Sequence, residues 1–156
     1  MYYTRKELLT DSGGPGFNRG GLGQEVEFCI IDGGNDLARD VESSVRLSGR
    51  TEDGTFPVFG RCSGKNGRGS GMWANDEIVD HGIYRRLAPN DKISFIISGG
   101  GGYGDPLSRE PERVLKDVKQ GYVSIEKAKT DYGVVIRPDT IEVDLESTKL
   151  LRKEKS

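Results

Sequence analysis

The sequence predicts an α+β fold, mostly β-strands and glycine-rich loops in the first two thirds, followed by short helices at the C-terminus. Three observations carry this reading. Two-residue alternation marks Gln24–Ile31, and an apolar run marks Ile93–Ile97. Glycine patches interrupt the chain at 11–23, 60–71 and 98–104. Helical spacing with cap signals begins only after residue 106. At 156 residues the chain has the size of a single domain, 1–156, with a strand and loop part over 1–106 and a helical tail over 107–156.

Along the chain, residues 11–23 hold six glycines and a proline in thirteen positions, which excludes regular helix or strand and leaves a shaped loop. Next, Val26, Phe28 and Ile30 alternate with Glu25 and Glu27, as in a half-buried strand that Asp32-Gly33-Gly34-Asn35-Asp36 ends. Strand-like pieces follow at Val41–Leu47 and Thr55–Phe59, with Pro57 placing the second at a sheet edge. Gly60–Gly71 is basic and almost free of packing side chains, so it is either a mobile tip or a loop shaped by something else. It lacks the GxxxxGK[ST] pattern of a nucleotide-phosphate loop.

Ile93–Ile97 runs into Ser98-Gly99-Gly100-Gly101-Gly102-Tyr103-Gly104-Asp105-Pro106. Consecutive glycines are entropically expensive to order, so they imply either positive φ or a close approach of another group. Pro111 opens a helix with Val114, Leu115 and Val118 at helical spacing, and Gly121 closes it. Ser124 caps a second helix, Ile125 to Tyr132, which Gly133 ends. Val134–Ile136 reads as a short strand, 137–139 as a turn, and Asp144–Lys155 as a terminal amphipathic helix.

Composition narrows the function classes. Only 33% of residues are apolar and 31% are charged, with a mean hydropathy of -0.59, so material for a large private core is thin. Lys and Arg number 23 against 25 Asp and Glu, with a pI near 5.5, which gives no electrostatic footprint for nucleic acid or an anionic membrane. Neither is expected as a partner. Signal-peptide and membrane-span patterns are missing, and a cytoplasmic location is expected. Cys29 and Cys62 stand apart and His81 is the single histidine, so no metal site and no complete Ser-His-Asp or Cys-His set is expected within the chain. Cys29, inside an apolar run, reads as a small buried thiol rather than half of a disulfide.

Several ordered motifs carry a resemblance. They are Asp11-Ser12-Gly13-Gly14-Pro15-Gly16 with Arg19-Gly20-Gly21-Leu22-Gly23, then Gly100-Gly101-Gly102-Tyr103-Gly104-Asp105-Pro106, then Arg109-Glu110-Pro111-Glu112-Arg113-Val114, Asp117-Val118, Gly121-Tyr122-Val123-Ser124 and Tyr132-Gly133-Val134-Val135. Together they resemble the C-terminal part of the hydantoinase B family, which includes 5-oxoprolinases and the related acetone and acetophenone carboxylases. Family members carry this region at the end of a much longer chain. This sequence is therefore similar to a family C-terminus made as a separate small subunit, most like the small subunit of acetophenone carboxylase.

The resemblance implies a small subunit of an ATP-dependent carboxylase that completes a hydantoinase B-like subunit and its active site and is inactive alone. It implies larger hydantoinase A-like and hydantoinase B-like partners that carry ATP and a divalent metal, with no cofactor in this chain. A subunit of an ATP-dependent hydantoinase or 5-oxoprolinase-type cyclic-amide hydrolase, and a purely structural assembly subunit, remain open alternatives. No catalytic residue is assigned. Substrate-pocket candidates are Gly100, Gly101, Gly102, Tyr103, Gly104 and Asp105, with Arg19 and Asp11. Consecutive backbone N–H groups of this run can bind a carboxylate, a phosphorylated enol or an oxyanion, Tyr103 can add a hydroxyl and Asp105 can orient the loop. Equally, the glycines can serve close approach between subunits. Asp11, Arg19 and Gln24 either brace the first loop or meet substrate charge.

Overall fold

A computed structural model describes residues 1–30, 57–79, 87–88 and 90–155. Five described strands, β1 (Tyr2–Leu8), β2 (Gln24–Cys29), β3 (Gly71–Ala74), β4 (Glu77–Ile78) and β5 (Lys92–Ile97), form an antiparallel sheet in the order β1-β2-β5-β3-β4. The two alternating segments expected to be strands are its centre, paired so that Val26 faces Phe95 and Phe28 faces Ile93. Because the side-chain period is two, that register gathers Phe28, Ile93, Phe95, Met72 and Ala74 on one face. Met72, Ala74 and Ile93 are buried there, and Phe28 and Phe95 stack with ring centroids 5.7 Å apart. Glu25 and Glu27 take the other face with Arg5, Thr4 and Ser94.

β1 is an element the sequence did not announce, because all seven of its residues are exposed and no face of it is apolar throughout. Residues 57–59 of the expected Thr55–Phe59 strand carry no strand, and Val41–Leu47, Thr55, Phe56 and His81 fall outside the described residues. Cys29 is buried and Cys62 exposed, both as free thiols.

After a single 3-10 turn at Pro106–Ser108, the tail forms α1 (Pro111–Lys119), α2 (Ile125–Tyr132), a hairpin of β6 (Ile136–Arg137) with β7 (Glu142–Val143), and α3 (Leu145–Lys155). The α+β composition follows. Local chemistry sets these boundaries. Pro111 occupies the first helical turn, where a missing N–H is harmless, and Gly133 leaves α2 at φ 61, a left-handed conformation that favours glycine. Ser124 Oγ accepts from the Lys127 N–H at 3.1 Å, capping α2. Ser124→Ala is expected to lower stability by about 1 kcal/mol, read as a shifted urea midpoint at constant slope. Val114, Leu115, Val123, Ala128, Tyr132, Val134 and Ile136 make a second core under these helices. No helix among the described residues is long and apolar enough to cross a membrane.

Candidate functional site

The glycine patches at 11–23, 60–68 and 98–104 are one structure. Gly99 and Gly102 donate to the carbonyls of Arg68 and Lys65 at 3.0 and 2.9 Å, and Arg68 and Lys65 donate to those of Ser12 and Pro15 at 2.8 and 2.7 Å. Gly14 closes the triangle by donating to Gly100 O at 2.8 Å. On another side, Gly100 and Tyr103 donate to Gly21 and Asn18 at 2.9 Å each. These lacing pairs advance by three residues rather than two, whereas Arg61, bonded to Gly102 and Gly104, makes an ordinary strand-like bridge. Three is the period of a polyproline-II-type helix, which makes no hydrogen bonds within itself and so offers its backbone to neighbours. Every third position then faces an adjoining backbone.

A Cβ at Gly99 would strike the Ser12 carbonyl, at Gly102 the Pro15 carbonyl, at Gly64 the Gly102 carbonyl and at Gly20 the Gly100 carbonyl, each at under 3.0 Å. Of the two causes that a glycine run implies, close approach operates along its length, while positive φ occurs only at Gly104, at 76°. The approach is between segments of this one chain. The N–H groups of Gly99, Gly100, Gly102, Tyr103 and Gly104 all donate to carbonyls of neighbouring segments.

Of the other candidates, Tyr103, Asp105 and Asp11 are exposed and Arg19 is partly buried. Tyr103 is 55% exposed at the rim, and its hydrogen bond with Cys62 pushes the phenol above its ordinary range. Asp105 Oδ1 accepts from the Leu107 N–H at 2.9 Å, turning the chain out of the glycine run into the tail. Asp11, at φ 62, accepts the Ser124 N–H at 2.8 Å and donates its own N–H to Tyr122 O at 3.0 Å, tying the first loop to the start of α2. Arg19 lies over the Tyr122 ring at 5.3 Å, donates to Gly20 O at 2.6 Å and faces Asp117 Oδ2 at 3.3 Å.

Asp117 belongs to the motifs that carry the resemblance, but the sequence gives it no role in the site. Buried on α1, it also accepts from Arg109 Nη2 at 2.8 Å, while Arg109 Nη1 donates to Phe17 O at 2.7 Å. Two arginines and one carboxylate thus fasten the tail to the glycine bundle. Their separation of 8 residues for Arg109 and Asp117 gave no signal, since Arg109 alone reads as a solvated charge ahead of α1 and Asp117 as one on it. Among the described residues no three His, Cys, Asp or Glu side chains stand together as metal ligands would.

The profile of the hydantoinase B/oxoprolinase family matches residues 1–106, which include the whole glycine bundle. The chain belongs to this family. Hydantoinase B relatives include the caprolactamase subunit beta of Pseudomonas jessenii, 36% identical over 85% of this chain and 22% of that one. The ATP-dependent caprolactamase crystal structure from the same organism superposes with a TM-score of 0.58 at 29% identity, covering 96% of this chain and 26% of its own. The acetophenone carboxylase delta subunit of Aromatoleum aromaticum is 31% identical over 81% of this chain and 16% of that subunit. Nucleotide-free acetone carboxylase shares the fold, with a TM-score of 0.68 over 98% of this chain and 24% of its own, at 22% identity. The chain spans about a quarter or less of the length of the relatives it matches.

Proposed function

We propose that this chain is a small subunit of an ATP-dependent carboxylase of the acetophenone or acetone carboxylase kind, completing a larger hydantoinase B-like chain and its reaction chamber. What supports the reading is the kinship: the chain is 31% identical to the delta subunit of acetophenone carboxylase and shares its fold with part of acetone carboxylase. In this reading ATP and a divalent metal belong to larger hydantoinase A-like and B-like partners. The glycine bundle is the rigid mount. Tyr103 and Asp105 are the pocket candidates, both exposed and carried by Gly100, Gly101, Gly102 and Gly104, while Arg19 and Asp11, the latter also exposed, brace the mount against the tail.

A second reading, a subunit of a cyclic-amide hydrolase, is favoured by the higher identity to the caprolactamase subunit, 36% against 31%. Co-purification of the native complex, followed by assays for ATP-dependent carboxylation of ketones and for ATP-dependent opening of lactams and hydantoins, separates the two. The chain alone is expected to catalyse neither. Failure to recover any larger partner would remove both readings.

Within the assembled complex, Tyr103→Phe is expected to leave stoichiometry unchanged and lower turnover about tenfold, the size of one lost hydrogen bond to a charged group. Wild-type turnover in that variant would take Tyr103 out of the pocket.

A further inference from the structure

The five-stranded sheet is apolar on one face, and that face is only half covered. Its register puts Leu8, Gln24 and Ile97 in one row and Lys6, Val26, Phe95 and Met72 in the next. Tyr3, Phe28, Ile93 and Ala74 make the third row. At the β3 end Met72, Ala74 and Ile93 are buried, with Val79 and Leu87 packed against them. Toward β1 the cover ends. Tyr3, Leu8 and Ile97 are 68%, 56% and 52% exposed, and Val26, Phe28 and Phe95 between them are only half-buried. The rings already form a fixed row, since Tyr3 meets Phe28 edge-on at 6.4 Å and Phe28 stacks on Phe95 at 5.7 Å.

The helical tail does not supply the missing cover. α1 and α2 turn their apolar sides into the second core and make their main contacts with each other, the 3-10 turn and the β6–β7 hairpin. α3 is tied to the same unit by its bonds to residues 109, 129, 130, 132 and 135. Across β1, β2 and β5 the apolar face carries one charged side chain, Lys6, and it stands on the edge strand, where a long stem can keep its ammonium group in water. An aromatic and aliphatic centre with its charge at the rim is the anatomy of a protein interface. The occupant follows from extent. Relatives hold this unit within chains about four or more times as long, so in them the larger part of the polypeptide is there to lie against it.

We infer that the uncovered half-face, from Tyr3 and Leu8 on β1 to Phe95 and Ile97 on β5, is the surface by which this chain docks onto the larger hydantoinase B-like subunit. The inference rests on the small-subunit reading above and adds to it the place of contact. Docking there completes the sheet's core and leaves the rim of the glycine bundle, with Tyr103 and Asp105, to the reaction chamber.

The complex is purified with its hydantoinase B-like subunit identified by mass spectrometry, and its dissociation on dilution is followed by mass photometry. The double variant Tyr3→Glu with Leu8→Glu changes two exposed positions, so the full chain is expected to melt as the wild type does. Its dissociation constant is expected to rise about a hundredfold, because two carboxylates must be desolvated against apolar surface. Leu150→Glu, at a position 65% exposed on α3, is the control and is expected to assemble normally. Undiminished assembly of the double variant overturns the docking face while leaving the small-subunit reading intact. A wild-type chain that dimerises, with the double variant monomeric, gives the face to a second copy and overturns the inference as well. If no hydantoinase B-like chain binds the wild type, the small-subunit reading falls and the docking face with it. Should the double variant fail to fold, Leu8→Ser carries the test: about tenfold weaker assembly is expected, and wild-type affinity overturns the inference.

Discussion

Replacing Gly102 with alanine is expected to disrupt the glycine bundle and lower stability by about 3 kcal/mol or more, beyond the ordinary range of overpacked sites. The added methyl would lie under 3.0 Å from the carbonyl oxygens of Pro15 and Gly14. These atoms cannot simply retreat, because Gly102 bonds Lys65 at 2.9 Å while Lys65 bonds Pro15 at 2.7 Å, so separating one pair breaks the others. Gly21, with nothing within 4 Å of its own Cβ direction, supplies the control. Gly21→Ala is expected to stay within about 0.5 kcal/mol of the wild type. Urea denaturation followed by circular dichroism compares the two, and equal midpoints would mean that the segments are not packed backbone to backbone.

What the sequence reveals of this fold depends on whether a signal is local. Alternation at Gln24–Cys29 and Ile93–Ile97, Pro111 and Ser124 at helix starts, and Gly133 at a helix end act within a few residues, and each stands where the sequence placed it. The glycine run at 98–104 announced either positive φ or a close approach, and the patch at 60–71 either a mobile tip or a shaped loop. They could not announce that each patch is the neighbour of the others, because Gly99 and Ser12, or Gly102 and Lys65, are joined only by backbone, and backbone pairing leaves no complementary side chains to read. The exposed strand Tyr2–Leu8 escaped for the opposite reason: with both faces in solvent it carries no two-residue apolar period. Within the candidate site, Asp11 and Arg19 were singled out as candidates from the glycine-loop motifs, whereas Asp117, also within a motif, sits on a helix whose spacing does not show that two arginines converge on it.

Asp117→Ala is expected to cost about 3–5 kcal/mol, the range for removing one partner of a buried ion pair, because it strands two guanidinium groups rather than one. Arg109 and Asp117 are both almost fully buried, and Arg19 is 15% exposed at its side chain, so solvent cannot replace the lost carboxylate. The loss would also propagate. Arg109 holds Phe17 O and Arg19 holds Gly20 O, so freeing the two side chains loosens the 17–21 segment that Gly100 and Tyr103 lace to. Asp11→Asn makes the comparison decisive, since asparagine tolerates the left-handed φ of 62 and still offers an oxygen to the Ser124 N–H. It is expected to change stability by about 0.5 kcal/mol or less. Both braces join the first loop to the tail, but only Asp117 is a buried charge shared by two cations. A loss in Asp117→Ala no larger than that in Asp11→Asn would show that the arginine pair is screened by water and that the bundle holds the tail by its other contacts alone.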